Sequence, residues 1–268
     1  MRPDREPSVR VALGIAYRGS AYQGWQSQPG GRTVQDRLEA ALSAFADRPV
    51  TTLSAGRTDA GVHALNQVVH FDTEVERSEE SWLRGTNRHL PEDIAVQWCR
   101  PVDARFHCRA SALGRRYAYV LLESRVRPAL ESGHVGWTFQ RLDADAMRAG
   151  AALLLGTHDF SAFRSAECQA LSPVKTLRRL EIERRGDYWR LDFEADAFLH
   201  HMIRNLMGSL IVVGSGRRDP SWLTGLIDGK DRSRAAPTFS PAGLYFVGPY
   251  YDAAHGIPEH TPAMSWLP

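Results

Sequence analysis

Cysteine is scarce in this chain. Its 268 residues hold three, Cys99, Cys108 and Cys168, an odd number with no CxxC pair. That excludes a disulfide framework and argues against a structural zinc site, so reduced, structural thiols are expected. Long apolar runs are missing as well: none approaches the roughly 18 to 20 residues of a membrane span. The opening MRPDREPS has no hydrophobic stretch behind its charges, so neither signal peptide nor anchor is expected, and the expected location is the cytoplasm. No GxGxxG or GxxxxGK[ST] sequence occurs, and Gly214, Ser215 and Gly216 fall at a helix end, which sets nucleotide-binding enzymes aside. Lysine is represented only by Lys175 and Lys230, so the positive charge of the chain is almost entirely arginine.

What is present is the composition of a globular protein, long enough for one large domain or two of ordinary size. The net charge of +2 conceals an uneven distribution. Arg100 to Pro128 holds seven arginines (100, 105, 109, 115, 116, 125 and 127) against Asp103 and Glu123, a segment of +5 in a remainder of −3. Arginine's planar fork suits phosphate and stacks on bases, so a polyanion such as RNA is a plausible partner. The competing explanations are a codon preference for arginine and ordinary solvated strand faces.

The hydrophobic pattern reads as two similar halves. Val9, Val11, Leu13, Ile15 and Tyr17 alternate, which predicts a strand with one buried face. Thr33 with Asp36 forms a helix-capping pair ahead of apolar Val34, Leu38, Ala41, Leu42 and Phe45. Strands at Val50 to Ala55 and Asn66 to Thr73, a helix at Glu79 to Leu90 and a strand at Ile94 to Cys99 complete the order β-α-β-β-α-β. After Pro101 the pattern restarts: a strand at Arg115 to Leu122, a helix at Asp143 to Leu155 and strands at Lys175 to Arg185 and Trp189 to Ala195. Helices at about Leu199 to Val213 and Ser221 to Asp228 and a strand at Leu244 to Val247 follow. The expected fold class is α+β: two related halves, residues 1–104 and 105–268, each an antiparallel sheet with helices on one face, with a positively lined cleft between them.

One segment fits no period. AGRTDAGVHA, Ala55 to Ala64, places Arg57, Thr58, Asp59 and His63 at spacings that match neither strand nor helix, so it reads as a short loop between two strands. Gly56 and Gly61 permit a sharp turn or close approach to a ligand. Taken alone, Asp59 reads more readily as an Asx-turn acceptor than as a reactive group. Two other segments are chemically unusual. In HHMIRNLMGSL, Met202, Ile203, Leu206, Met207 and Leu210 make an apolar helix face, and Arg204 beside it requires a carboxylate, a phosphate or water. His200 and His201 read as core or cap residues rather than metal ligands, since no third ligand has suitable spacing. In RRYAY, Tyr117 and Tyr119 share a strand face next to Arg115, either as core or as a stacking surface for a base.

Eight collinear segments resemble the TruA family of tRNA pseudouridine synthases: YRGSAYQGWQSQ (Tyr17 to Gln28), TVQDRLEAAL (Thr33 to Leu42), AGRTDAGVHALNQVVHFDT (Ala55 to Thr73), LPEDIAV (Leu90 to Val96), FHCRASALGRRYAY (Phe106 to Tyr119), HDFSAFR (His158 to Arg164), AFLHHMIRNLMGSL (Ala197 to Leu210) and AGLYFVGPYY (Ala242 to Tyr251). Arg18 stands where the family typically has Asp, and Ala118 where the tyrosine pair often brackets an arginine. The resemblance implies the pseudouridine synthase fold and isomerisation of uridine to pseudouridine at positions 38, 39 and 40 of the tRNA anticodon arm. It also implies a homodimer that needs neither metal nor cofactor. By the same resemblance Asp59 is the catalytic carboxylate, a nucleophile that forms and breaks a transient covalent bond. Arg204 is its counter-ion, Tyr117 stacks on the base, and Leu244 supports the opposite face. Arg57 braces the position the flipped base leaves. His63 either positions RNA or caps a strand, and Arg115 and Arg116 are candidate RNA contacts. Two alternatives are a non-catalytic RNA-binding protein and a pseudouridine synthase with a different RNA target. A glycoside hydrolase is disfavoured because no second carboxylate is evident.

Overall fold

The computed structural model describes residues 8–258, which divide into two compact units. The first comprises residues 8–113 together with 246–258, and the second is Gly114–Tyr245. This contact-based division is drawn at Leu113/Gly114 and gives most of the last strand to the first unit, whereas the sequence reading draws its boundary at 104/105.

In the first unit, β1 (Val9–Tyr17) lies between β3 (His63–Thr73) and β4 (Ile94–Val102), antiparallel to both, with β2 (Leu53–Ser54) pairing on β3. Val11, Leu13, Ile15 and Tyr17 are buried as their alternation predicts, whereas Val9, the first residue of the strand, is exposed. Ala12 on the other face is buried too, in a cluster with Ala55, Val68, Phe106, Cys108 and Tyr251. The strand is therefore covered on both faces, and the expectation of a single buried face is corrected. Small Ala12 carries no strong hydrophobic signal, so its burial depends on which distant residues are brought over it.

α1 (Val34–Ala46) opens with the predicted capping box: Thr33 Oγ1 accepts from Asp36 N–H at 3.2 Å, and the Asp36 carboxylate accepts from Thr33 N–H at 3.3 Å. α2 (Glu79–His89) starts after Ser78, whose hydroxyl accepts from Ser81 N–H, and buries Trp82 edge-on between Phe45 and Phe71. β2 is shorter than the predicted Val50 to Ala55, because α1 side chains take the backbone donors a longer strand would need. Glu39 accepts from Thr52 N–H at 2.7 Å, and Ser43 Oγ from Val50 N–H at 2.9 Å.

The second unit is built on β5 (Ala112–Glu123, from Gly114 on), with β6 (Gly136–Thr138), α3 (Ala144–Leu154) and β7 (Gly156–Asp159) following it. Next come β8 (Val174–Arg185), β9 (Tyr188–Ala195), α4 (Met202–Gly214) and α5 (Trp222–Gly229), and the opening of β10 (Leu244–Tyr251). Its strands run in the order β5, β9, β8, β7, each antiparallel to its neighbour. The short β6 pairs in parallel with β5, so the expectation of purely antiparallel sheets is corrected. Neither β6 nor β7 is anticipated by the sequence; three or four residues are too few for a period to emerge.

α4 departs from expectation in two ways. It begins at Met202 rather than Leu199, because His201 has a left-handed backbone (φ +62°) that the helix cannot include. It is also buried nearly all round: Asn205, Gly208 and Ser209 are as inaccessible as Leu206 and Leu210. Among the described residues, no helix is long and apolar enough to cross a membrane, and the three cysteines are free thiols.

Candidate active site

The AGRTDAGVHA segment is a loop between β2 and β3, with Arg57 exposed, Thr58 buried and Asp59 half-buried. Its rigidity comes from bonds to the rest of the first unit. The buried side-chain amide of Gln67 grips the Gly56 peptide from both sides: Nε2–H donates to Gly56 O at 2.5 Å, and Oε1 accepts from Gly56 N–H at 3.4 Å. Thr58 is held twice, its hydroxyl 2.7 Å from the Tyr17 phenol and its carbonyl accepting from Trp25 N–H at 3.0 Å. Burial pushes the Tyr17 phenol well above its usual pKa, and hydrogen bonds to Thr58 and Gln67 oppose that rise only in part, so the group stays protonated.

Asp59 opens a turn closed by Val62 N–H donating to Asp59 O at 3.1 Å. Gly61 within it has φ +81°, a region that side chains disfavour. Gly24 approaches from the other side with φ +87°, and a Cβ there would lie 2.7 Å from Thr58 O. The backbone on both sides of the Asp59 carboxylate is thus fixed. His63, the first residue of β3, is buried, and its Nδ1 accepts from Gly19 N–H at 3.1 Å, tying the loop's exit to the turn after β1.

The remaining predicted site residues lie in the second unit. Tyr117 sits on β5 opposite Phe193 of β9, is almost fully buried, and meets Phe198 edge-on at 5.2 Å. Its neighbours are engaged within the unit: Arg115 donates to Asp196 O at 2.9 Å, and Arg116 pairs with Glu194 at 3.1 Å. Arg204, in the first turn of α4, is half-buried. Its Nε–H donates to Phe239 O at 2.9 Å, while its own carbonyl accepts from Phe239 N–H at 3.1 Å. Phe239 packs on Tyr119, two residues from Tyr117 on the same strand, and the Tyr119 phenol donates to Ser240 O at 2.8 Å. Burial raises the Tyr119 pKa, and the Arg204 charge partly offsets that rise. Leu244 is buried at the start of β10.

Each unit therefore gathers its own share of the predicted residues: Arg57 and Asp59 on the loop with His63 at the start of β3, and Arg115, Arg116, Tyr117, Arg204 and Leu244 on β5, α4 and β10. Sequence reasoning misses Gln67, Phe198, Asn205 and Phe239, which hold or flank these groups. The amide of Gln67, beside the apolar Val68 and Val69 of β3, and that of Asn205 in an apolar helix are the available signals, since a buried amide requires partners. Chemically, the first unit offers a carboxylate on a fixed loop backbone, and the second a guanidinium tethered to a backbone carbonyl and an aromatic ring on a strand.

A family model described as tRNA pseudouridine synthase matches residues 14–109 and 151–252. A tRNA pseudouridine synthase A of Methylibium petroleiphilum is 70% identical over 260 residues, covering 97% of this chain and 100% of that protein. The protein of the same name from Variovorax paradoxus is 65% identical over 257 residues, covering 94% of this chain and 95% of its own length. That of Paracidovorax citrulli is 60% identical over 278 residues, with 97% and 100% covered. The chain belongs to the tRNA pseudouridine synthase family.

Proposed function

We propose that this chain converts uridine to pseudouridine at positions 38, 39 and 40 of the tRNA anticodon arm, with Asp59 as nucleophile. The observation that carries this reading is the mounting of Asp59. Its loop backbone is pinned at Gly56 by Gln67, at Thr58 by Tyr17 and across the turn from Asp59 to Val62, so the carboxylate is carried on a fixed backbone. The reaction breaks the N1–C1′ bond, turns the uracil and joins C5 to C1′; the C5 proton is lost and the freed N1 takes one up, so product and substrate are isomers. An ionised carboxylate that bonds transiently and leaves again serves this chemistry without metal or cofactor.

In this reading Arg204 supplies the cation that keeps Asp59 ionised. Tyr117 stacks on the flipped base and assists removal of the C5 proton, and Leu244 supports the other face. Arg57 fills the position the base vacates, at a flipping cost of a few kcal/mol. His63 fixes the loop's exit, and Arg115 and Arg116 approach the RNA backbone. The enzyme works as a homodimer in the cytoplasm. Support comes from the family membership and from the presence of all three principal groups, Asp59, Tyr117 and Arg204.

The test is tritium release from tRNA labelled at C5 of uridine. Asp59→Asn is expected to lower the rate by roughly 10³-fold or more while tRNA binding persists. Near-wild-type release would refute the nucleophile assignment. Pseudouridine absent from both wild-type and variant reactions would favour a non-catalytic RNA-binding protein. Mapping tRNA from cells lacking the gene tests the target: loss confined to positions 38 to 40 supports it, and loss elsewhere assigns the same chemistry to another site.

A further inference from the structure

Arg232 to Ser240 form a strap along one side of α4, and three separate devices hold it there. The first is steric: a Cβ on Gly208 would lie 2.4 Å from Pro237 O, so this position must be glycine for the strap to come so close. The second is a polar hub at Asn205, which is fully buried. Its Oδ1 accepts from Thr238 Oγ1–H at 2.7 Å and from Arg232 Nη2–H at 3.0 Å, and its Nδ2–H donates to Phe163 O at 2.7 Å. The third is the reciprocal backbone and side-chain pair between Arg204 and Phe239. Residues 204, 205 and 208 lie within one turn of the helix, so all three devices act on the same stretch.

Arg232 is the unusual member. Its guanidinium is half-buried, yet its hydrogen-bond acceptors are all neutral: Ala236 O at 2.8 Å, Asn205 Oδ1 at 3.0 Å and Thr238 Oγ1 at 3.2 Å. Among the described residues no carboxylate pairs with it. Desolvation lowers its pKa accordingly. A cation set among neutral oxygens contributes little through charge pairing. What a rigid planar fork does contribute is geometry, because it spans two acceptors at a fixed separation. Here it links the strap to itself through Ala236 and to the helix through Asn205.

We infer that Asn205 and Arg232 are positioning residues for the isomerisation: they fix the strap, the strap presents the Phe239 carbonyl, and that carbonyl fixes the plane of the Arg204 guanidinium. The inference rests on the reading of Arg204 as the counter-ion of Asp59. Phe239 also packs on Tyr119, and Ser240 O accepts from the Tyr119 phenol, so the strap that sets Arg204 is registered against the strand that carries Tyr117.

The experiment is a double-mutant cycle measured as kcat and KM on tRNA, with circular dichroism and melting to confirm folding. Arg232→Ala is expected to lower kcat about 10-fold or more through misplacement of Arg204, with KM for tRNA changed less than about 2-fold. Arg232→Lys, a point charge without the fork, is expected to recover only part of the loss. In an Arg204→Ala background, Arg232→Ala is expected to add no further loss, because its target is gone. An equal further loss there would show a general structural role and overturn the inference, as would wild-type kcat in Arg232→Ala. Wild-type kcat in Arg204→Ala alone would instead refute the earlier reading of Arg204. If Arg232→Ala fails to fold, Thr238→Val removes one hub hydroxyl at nearly constant shape and is expected to lower kcat about 5-fold with KM unchanged, the equivalent of a hydrogen bond worth ~1 kcal/mol. Wild-type kcat in that variant overturns the inference equally.

Discussion

The Asp59 loop of the first unit and the Arg232–Ser240 strap of the second solve the same problem by different means. Both are irregular segments, one carrying a charged side chain and the other bonding one. The loop is fixed mainly through its backbone: Gly24 and Gly61 adopt conformations that side chains disfavour, and Gln67 and Trp25 bond its peptide groups. The strap is fixed mainly through side chains, those of Asn205, Arg232, Thr238 and Arg204 itself. Both depend at one glycine, Gly24 for the loop and Gly208 for the strap, on steric room that one added methyl removes. The strap's side-chain anchors can in addition be lost one at a time.

The comparison is broken most forcefully at Gly24. Gly24→Ala forces a Cβ to within 2.7 Å of Thr58 O at φ +87°. It is expected to destabilise the protein by ~1–3 kcal/mol through strain and to lower turnover more than binding. Melting with parallel kcat and KM measurements checks both, and an unchanged Tm with unchanged kcat would show that the loop tolerates displacement. Gln67→Leu comes next, since it leaves the Gly56 N–H and carbonyl without their amide partner in a buried setting, at a cost of ~1–3 kcal/mol. Urea unfolding measures it.

On the strap side, Tyr119→Phe removes only the phenol that donates to Ser240 O, and the expected loss is ~1 kcal/mol with the fold intact. If Tyr119→Phe cost more than Gly24→Ala, the contrast between the two modes of holding would be reversed.

The smallest effect is one of pH. His70 on β3 is buried, with Nδ1 accepting from Cys108 N–H, and its pKa is pushed down to about 4, first by burial and then by the nearby Arg10 and His107 charges. The unfolded chain, with a histidine near 6.5, binds the proton more readily. Stability from this group is therefore complete above about pH 6.5 and is lost as pH falls toward about 4. His70→Asn is expected to flatten the dependence of Tm on pH in that window, and an unaltered slope would remove His70 as its source.

How much was legible beforehand follows from the range of each signal. The capping box at Thr33 and Asp36 and the alternation of β1 are local, so they appear both in the sequence and in the structure. The start of α4 is not legible, because nothing in the side chains of residues 199 to 202 marks the left-handed backbone of His201. The length of β2 is not legible either, because Glu39 and Ser43, on a preceding helix, claim the donors of Thr52 and Val50. The amide of Asn205 signals only that partners are required; which distant carbonyl and guanidinium meet it is decided by the fold.

From the sequence alone came the family resemblance, the order of most elements and the identity of the chemically unusual residues, since collinear motifs and hydrophobic periods are properties of neighbours along the chain. Tertiary structure alone decided how Asp59 is mounted, that His63 is buried against Gly19, and that a strap from Arg232 to Ser240 tethers Arg204. Those outcomes depend on hydrogen bonds and steric contacts between residues far apart in sequence, and such contacts exist only once the chain has folded.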